Sequence, residues 1–175
     1  MELKTALDSI RTIPDYPKPG IIFKDVTPLL ANAKAFQATV LAMNKHLKDE
    51  PVIIGIEARG FIFASAMAIQ AERAFVPVRK EGKLPYETFS KPYGLEYGQD
   101  VIEVHKDAFV GHKSAVIVDD VLATGGTVLA TLQLAQQAGV DVTQVIVLLE
   151  IASLGGRKRI QNDFPNVTIS TLVEV

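Results

Sequence analysis

The sequence predicts an α/β protein, a mainly parallel central sheet flanked by helices. Three observations lead there. Residues 52–79 and 114–151 each read as strand, helix, strand. The strands are short apolar runs such as "VIIGI" and "AVIV", the pattern of strands covered on both faces. A glycine-bearing turn joins the first strand of each unit to its helix. Such alternation implies helices packed on both faces of the sheet. Ligands in these sheets bind beyond the carboxyl ends of the strands.

The elements follow in order. Residues 1–11 read as a short helix, broken by "IPDYPKPG". Residues 33–49 read as a second helix, with Phe36, Val40, Met43 and Leu47 at helical spacing and Pro51 as the stop. "PVIIGI" is a buried strand, "GFIFASAMAIQAE" a helix and "AFVPVRK" a strand. Residues 80–100 lack apolar periodicity and read as a long functional loop. A hairpin is the alternative there, since "LEYGQDVIEVH" partly alternates. "KSAVIVDD" is the next strand, and "GGTVLATLQLAQQA" is a helix stopped by Gly139. "TQVIVLLEI" and "NVTISTLVEV" complete the strands.

Composition narrows the function classes. A chain of 175 residues is one domain of ordinary size. The formal net charge is −2, from 18 basic and 20 acidic residues, so nothing points to nucleic acid or a membrane surface. Any anion site must therefore come from local geometry. Cysteine is absent, which excludes thiolate chemistry and disulfides and fits a cytoplasmic protein. "MELKTALDSI" has no apolar signal core, and no apolar run reaches the roughly 20 residues of a membrane helix.

"AVIVDDVLATGGTVLA" carries the most information. Asp119 and Asp120 sit at the carboxyl end of a strand, and "ATGGT" opens a helix. Free amide N–H groups and the helix dipole attract a phosphate there. Gly125 and Gly126 allow close approach of the backbone, and Thr124 and Thr127 add hydroxyl donors. The two carboxylates cannot hold the phosphate, but they accept hydrogen bonds from hydroxyls. The ligand implied has a phosphate at one end and a diol nearby. Two acids or a glycine pair alone would read as a helix cap and a turn; the whole arrangement reads as a site. A P-loop is excluded, because Thr127 rather than Lys follows Gly126.

This stretch resembles the motif with which type I phosphoribosyltransferases bind 5-phosphoribosyl diphosphate (PRPP). The resemblance implies that Asp119 and Asp120 take the ribose 2′ and 3′ hydroxyls. It makes Ala123, Thr124, Gly125, Gly126 and Thr127 the 5′-phosphate loop. "VIIGIEARGF" repeats the strand–turn–helix logic, and Arg59 offers a planar set of donors suited to a diphosphate. The family places its pyrophosphate loop here, around Glu57, Ala58 and Arg59. Some members have a non-proline cis peptide in it, for which Glu57–Ala58 is the candidate. "VRKEGKLP" supplies Arg79, Lys80 and Lys83 as clamps beside the diphosphate, and glycines at 82, 94 and 98 suit a closing lid.

"YPKPGIIFKDVTPLL", "GIEARGF", "VRKEGKLP", "LEYG" and "DDVLATGGT" occur in one order. Together they resemble the adenine-using branch of that family across nearly the whole chain. The resemblance implies a single domain over 1–175, with a small N-terminal hood at about 1–32, a core at about 33–175 and a flexible catalytic loop at about 80–100. Ile22 and Phe23 would form the adenine pocket, and Lys24 would help bind pyrophosphate. Glu96 matches a loop glutamate near the purine, with a role in proton traffic at N7, and Tyr97 its neighbouring loop tyrosine. Ala123 stands where 6-oxopurine enzymes carry Asp, which fits adenine but also relatives that use xanthine.

The implied reaction joins adenine to PRPP, giving AMP and pyrophosphate, with Arg59 and Glu96 as catalytic residues. Mg²⁺ would be held mainly by substrate oxygens and water, without a dedicated protein cage. His46, His105 and His112 show no metal-ligand spacing and read as surface residues. The family is typically a homodimer. The rival readings are a transferase for another purine such as xanthine and a PRPP-sensing regulator. The regulator would need a DNA-binding domain for which the chain has no spare residues.

Overall fold

The computed structural model describes residues 1–94 and 100–175. The chain divides after Lys45 into two units, Met1–Lys45 and His46–Val175. The smaller unit holds helix α1 (Leu3–Leu7), strands β1 (Arg11–Ile13) and β2 (Phe23–Asp25), and helices α2 (Thr27–Leu30) and α3 (Ala33–Asn44). β1 and β2 pair antiparallel. Asn32 caps α3, its Oδ1 accepting from the N–H groups of Lys34 at 3.1 Å and Ala35 at 3.2 Å.

The larger unit is built on a seven-stranded sheet. Its strands are β3 (Val52–Ile56), β4 (Ala74–Lys80), β5 (Thr88–Tyr93), β6 (Asp100–His105), β7 (Ser114–Leu122), β8 (Asp141–Glu150) and β9 (Thr168–Glu174), in the order β5-β6-β4-β3-β7-β8-β9. β4, β3, β7, β8 and β9 run parallel; β5 and β6 add an antiparallel edge. Helices α4 (Gly60–Ala71), α5 (Gly126–Gln137) and α6 (Gly156–Asp163) follow β3, β7 and β8.

Side-chain alternation along β3 shows how the faces are covered. Val52, Ile54 and Ile56 join a buried cluster with Val128 and Leu132 of α5 and Ile160 of α6. Gly55 points the other way. A Cβ there would stand 2.7 Å from the Phe75 ring and 2.8 Å from the Ala64 methyl of α4. Glycine at this position lets α4 lie close on the sheet. α4 and α5 thus cover opposite faces, and the strands that feed them, β3 and β7, are neighbours. Their carboxyl ends form the switch point where such sheets bind ligands.

Several expectations need correction. The first helix covers Leu3–Leu7, because residues 11–13 pair as a strand. The helix expected over 33–49 ends at Asn44. Beyond it the Glu50 carboxylate captures the Lys48 N–H at 3.1 Å, and a side chain that binds the backbone locally competes with the helix. Residues 80–100 contain β5 and the start of β6, so the hairpin alternative applies. β7 runs through Asp119 and Asp120 to Leu122. α6 was not anticipated. The three histidines are half-buried, each still partly exposed at the surface. The stop at Gly139 is as expected: with φ +75°, it closes a Schellman turn, Val140 N–H donating to Ala135 O and Gly139 N–H to Gln136 O.

Candidate active site

The switch point brings together two loops distant in sequence. After β3 comes Glu57-Ala58-Arg59, with a cis Glu57–Ala58 peptide, the bond proposed from the sequence. Gly60 then opens α4 against β7. A Cβ on Gly60 would lie 2.6 Å from Asp119 Oδ1 and 3.1 Å from the Val118 carbonyl. The glycine therefore makes room for an acid. Asp119 Oδ1 also accepts from the Asp120 N–H at 2.9 Å. Asp120 is buried, and its Oδ2 stands 2.8 Å from Arg59 Nε.

Two adjacent carboxylates in this setting resist ionisation. Burial, and then the charge of Asp120, hold the Asp119 carboxyl well above the ordinary carboxylate range. Burial pushes Asp120 up as well, with the Arg59 guanidinium offsetting part of the effect. Hydroxyl donors brought to these oxygens would replace hydrogen bonds lost to water on folding.

The loop after β7 is shaped for an anion. Gly125, at φ +76°, turns the chain into α5. The first-turn amides of a helix have no intrahelical acceptor. Thr124 and Thr127 flank the turn. A cleft of ≈ 70 Å³ lies here, lined by Asp119 and residues 121–128.

Arg79 and Lys80 are engaged by acids. Glu57 accepts from Arg79 Nε at 3.2 Å, Arg79 Nη2 at 3.1 Å and the Lys80 N–H at 2.8 Å. Burial alone would raise the Glu57 carboxyl; the Arg79 and Lys80 hydrogen bonds and the charges of Arg79 and Lys83 prevail and hold it low. Arg79 Nη1 donates to the Lys83 carbonyl at 3.1 Å, so its guanidinium shapes the 80–83 turn. The Lys83 side chain is exposed. Lys80 Nζ contacts Asp100 Oδ2 and donates to the Tyr93 hydroxyl at 2.6 Å. These two partners outweigh burial and raise the Lys80 ammonium. Sequence reasoning missed Glu103, a buried carboxylate that accepts from the Gly82 N–H at 3.0 Å and the Ser90 hydroxyl at 3.1 Å. Its place in the alternating run "DVIEVH" was the available signal.

Ile22, Phe23 and Lys24 belong to the smaller unit. Ile22 is 59% exposed, so it is no core residue. Phe23 meets Tyr16 edge-on at 5.2 Å. Lys24 Nζ donates to Thr12 Oγ1 at 3.0 Å. Glu96 and Tyr97 lie outside the described residues.

Comparison with known proteins agrees with this geometry. Residues 26–173 match the family model described as the phosphoribosyl transferase domain. An adenine phosphoribosyltransferase of Symbiobacterium thermophilum is 51% identical over 154 residues, 87% of this chain and 91% of the relative. The chain belongs to the adenine phosphoribosyltransferase family. The crystal structure of the Thermoanaerobacter pseudethanolicus adenine phosphoribosyltransferase superposes with a TM-score of 0.91 at 45% identity, over 99% of each chain. The Giardia lamblia enzyme, solved with 9-deazaadenine, gives 0.91 at 35% identity, over 100% of this chain and 98% of that one. The seven-stranded core is thus a type I phosphoribosyltransferase fold.

The raised Asp119 carboxyl has a consequence for stability. Between the unfolded value near 4 and the raised folded value, the native state holds more protons than the unfolded chain, so stability falls as pH rises through that window. Asp119→Asn removes this penalty and keeps an oxygen for the Asp120 N–H. The variant is expected to melt above the parent at pH 8 by about 2–4 °C, the shift that ~1 kcal/mol gives in a chain of this size. The gap should close toward pH 4. Thermal melts across that range check this; a gap independent of pH would contradict it.

Proposed function

We propose that this protein transfers the 5-phosphoribosyl group of PRPP to adenine, giving AMP and pyrophosphate, in purine salvage. One observation carries the reading: a glycine phosphate turn and an acid pair, Asp119 half-buried and Asp120 buried, share one strand end, directly beside the Arg59 loop. A ribose 5-phosphate needs that pairing of anion site and diol acceptor. The resemblance to adenine phosphoribosyltransferases, including one solved with the adenine analogue 9-deazaadenine, supports adenine as the base.

Adenine N9 attacks ribose C1, the C1–O bond to the diphosphate breaks, and pyrophosphate leaves with the bonding pair. The N9 proton is lost. C1 acquires oxocarbenium character, as in other glycosyl transfers. Asp119 and Asp120 accept the ribose hydroxyls, and the charge they carry when ionised favours the cationic sugar. Ala123, Thr124, Gly125, Gly126 and Thr127 hold the 5′-phosphate. Arg59, Lys80, Lys83, Lys24 and Arg79, with the Glu57–Ala58 turn, form the pyrophosphate side. There, fixed positive charge meets the negative charge that develops on the leaving group. Lys80 must exchange Asp100 for the diphosphate to take part. Ile22 and Phe23 receive the adenine, Glu96 manages the proton at N7, and Tyr97 belongs to the closing loop.

No group of three His, Cys, Asp or Glu side chains suited to a metal occurs among the described residues. The acids present fit a Mg²⁺ ion that takes most of its ligands from substrate oxygens and water. When bound, Mg²⁺ supplies charge neutralisation at the diphosphate. A cytoplasmic site of action suits PRPP, a highly charged sugar that does not cross a bilayer unaided. Among the described residues, no helix is long and apolar enough to cross a membrane.

The same reading includes a homodimer. α4 is apolar on nearly all sides, a pattern that calls for burial. Yet Ile69 is 83% exposed, and Ile62 and Phe75 are exposed as well. A second copy of the chain covers this face. Ile69→Glu is expected to convert dimer to monomer in analytical ultracentrifugation; an unchanged sedimentation coefficient would contradict this interface.

Parallel assays with PRPP, Mg²⁺ and adenine, hypoxanthine, guanine or xanthine test the reaction. AMP and pyrophosphate should form with adenine. Turnover of xanthine alone would overturn the base assignment, which rests in part on Ala123. PRPP binding without turnover of any base would favour a sensing role.

A further inference from the structure

Helix α6 lies directly behind the 5′-phosphate loop. A Cβ on the buried Gly156 would stand 2.3 Å from the Ala123 carbonyl oxygen and 2.9 Å from the Gly125 nitrogen. Conversely, a Cβ on Gly125 would stand 2.8 Å from the Gly156 carbonyl oxygen. Every one of these neighbours is main chain, so no side chain can swing aside to make room. The two glycine segments pack backbone against backbone.

Arg157 fixes the position of that backing. Its Nε donates to Glu150 Oε1 at 3.0 Å and Oε2 at 3.2 Å, Nη2 also meets Oε2, and Nη1 donates to the Ile169 carbonyl at 2.9 Å. Glu150 is 4% exposed and lies at the end of β8, in register with Leu122, the last residue of β7. The Ile151 N–H donates to the Leu122 carbonyl at 2.9 Å. A continuous path of fixed contacts therefore runs from Glu150 through Arg157 and Gly156 to Ala123 and Gly125. A buried ion pair contributes little net stability compared with apolar packing. What the planar, forked guanidinium supplies is orientation.

We propose that Gly156 and the Arg157–Glu150 pair are positioning residues for the 5′-phosphate loop. They set the spacing of its amides for a phosphoribosyl ligand without touching that ligand. The inference rests on the reading of residues 123–127 as a phosphate site. Displacing that loop weakens ligands that carry the 5′-phosphate. It leaves the pyrophosphate side, built on the loop after β3, as it was.

Calorimetric titration with ribose 5-phosphate, and separately with magnesium pyrophosphate, separates these effects. Gly156→Ala is expected to weaken ribose 5-phosphate by about tenfold or more, as small misplacements of binding groups do, and to leave magnesium pyrophosphate within about twofold. Arg157→Lys keeps the charge but loses the fork, and should show the same selectivity to a smaller degree. In steady state it should raise KM for PRPP more than it lowers kcat. Equal weakening of both ligands would reduce these residues to general scaffold and overturn the proposal, as would unchanged ribose 5-phosphate affinity. Arg157→Lys alone decides the matter if Gly156→Ala fails to fold. A parent protein that does not bind ribose 5-phosphate would overturn the underlying site reading, and the inference with it.

Discussion

Two adjacent carboxylates on β7, Asp119 half-buried and Asp120 buried, beside the end of β3 are the constraint around which the core is arranged. A pair of acids so enclosed is unfavourable unless its surroundings compensate. Gly60 yields space to Asp119, Arg59 faces Asp120, and the Asp120 N–H donates back to Asp119. The compensation is incomplete, since both carboxyls remain above their ordinary range. In the proposed reaction, that residual cost would favour a ligand carrying hydroxyl donors and a developing positive charge.

The cations around the site follow a related rule. Arg59 faces Asp120, Arg79 faces Glu57 and Lys80 faces Asp100. Three of the positive groups proposed for the pyrophosphate side thus have an acid beside them. The pairs differ in what they do. Arg79–Glu57 holds the ends of β3 and β4 together and shapes the turn that presents Lys83. Lys80–Asp100 joins β4 to β6 at a more exposed position, where exchange for a diphosphate is easier. In the proposed function, the fixed pairs set the geometry and the exchangeable pair would deliver charge.

Much of this was legible in the sequence because it is local. "VIVDDVLATGGT" encodes strand, acids, turn and helix within a dozen positions, and both parallel units follow from apolar runs punctuated by glycine. The turn at Glu57–Arg59 was legible for the same reason. The rest depends on contacts between distant segments. Nothing near Gly60 says that Asp119 will press against it. Helix α3 stops early because Glu50, which also accepts from the Thr143 hydroxyl, takes the Lys48 N–H. α6 has one buried apolar side chain, Ile160, too little for a periodic signal. Its trace was the glycine pair at 155–156 after a strand, the same cue that marked α5.

The central claim is that one strand end grips both the phosphate and the diol of a nucleoside monophosphate. Backbone amide NMR during titration with AMP tests it most directly. The account predicts that the N–H resonances of Gly125, Gly126 and Thr127 move furthest, downfield, as they donate to phosphate oxygens, with Asp120 shifting in step as the ribose engages the acid pair. Saturation with AMP that leaves these amides in place, while resonances elsewhere move, would contradict it.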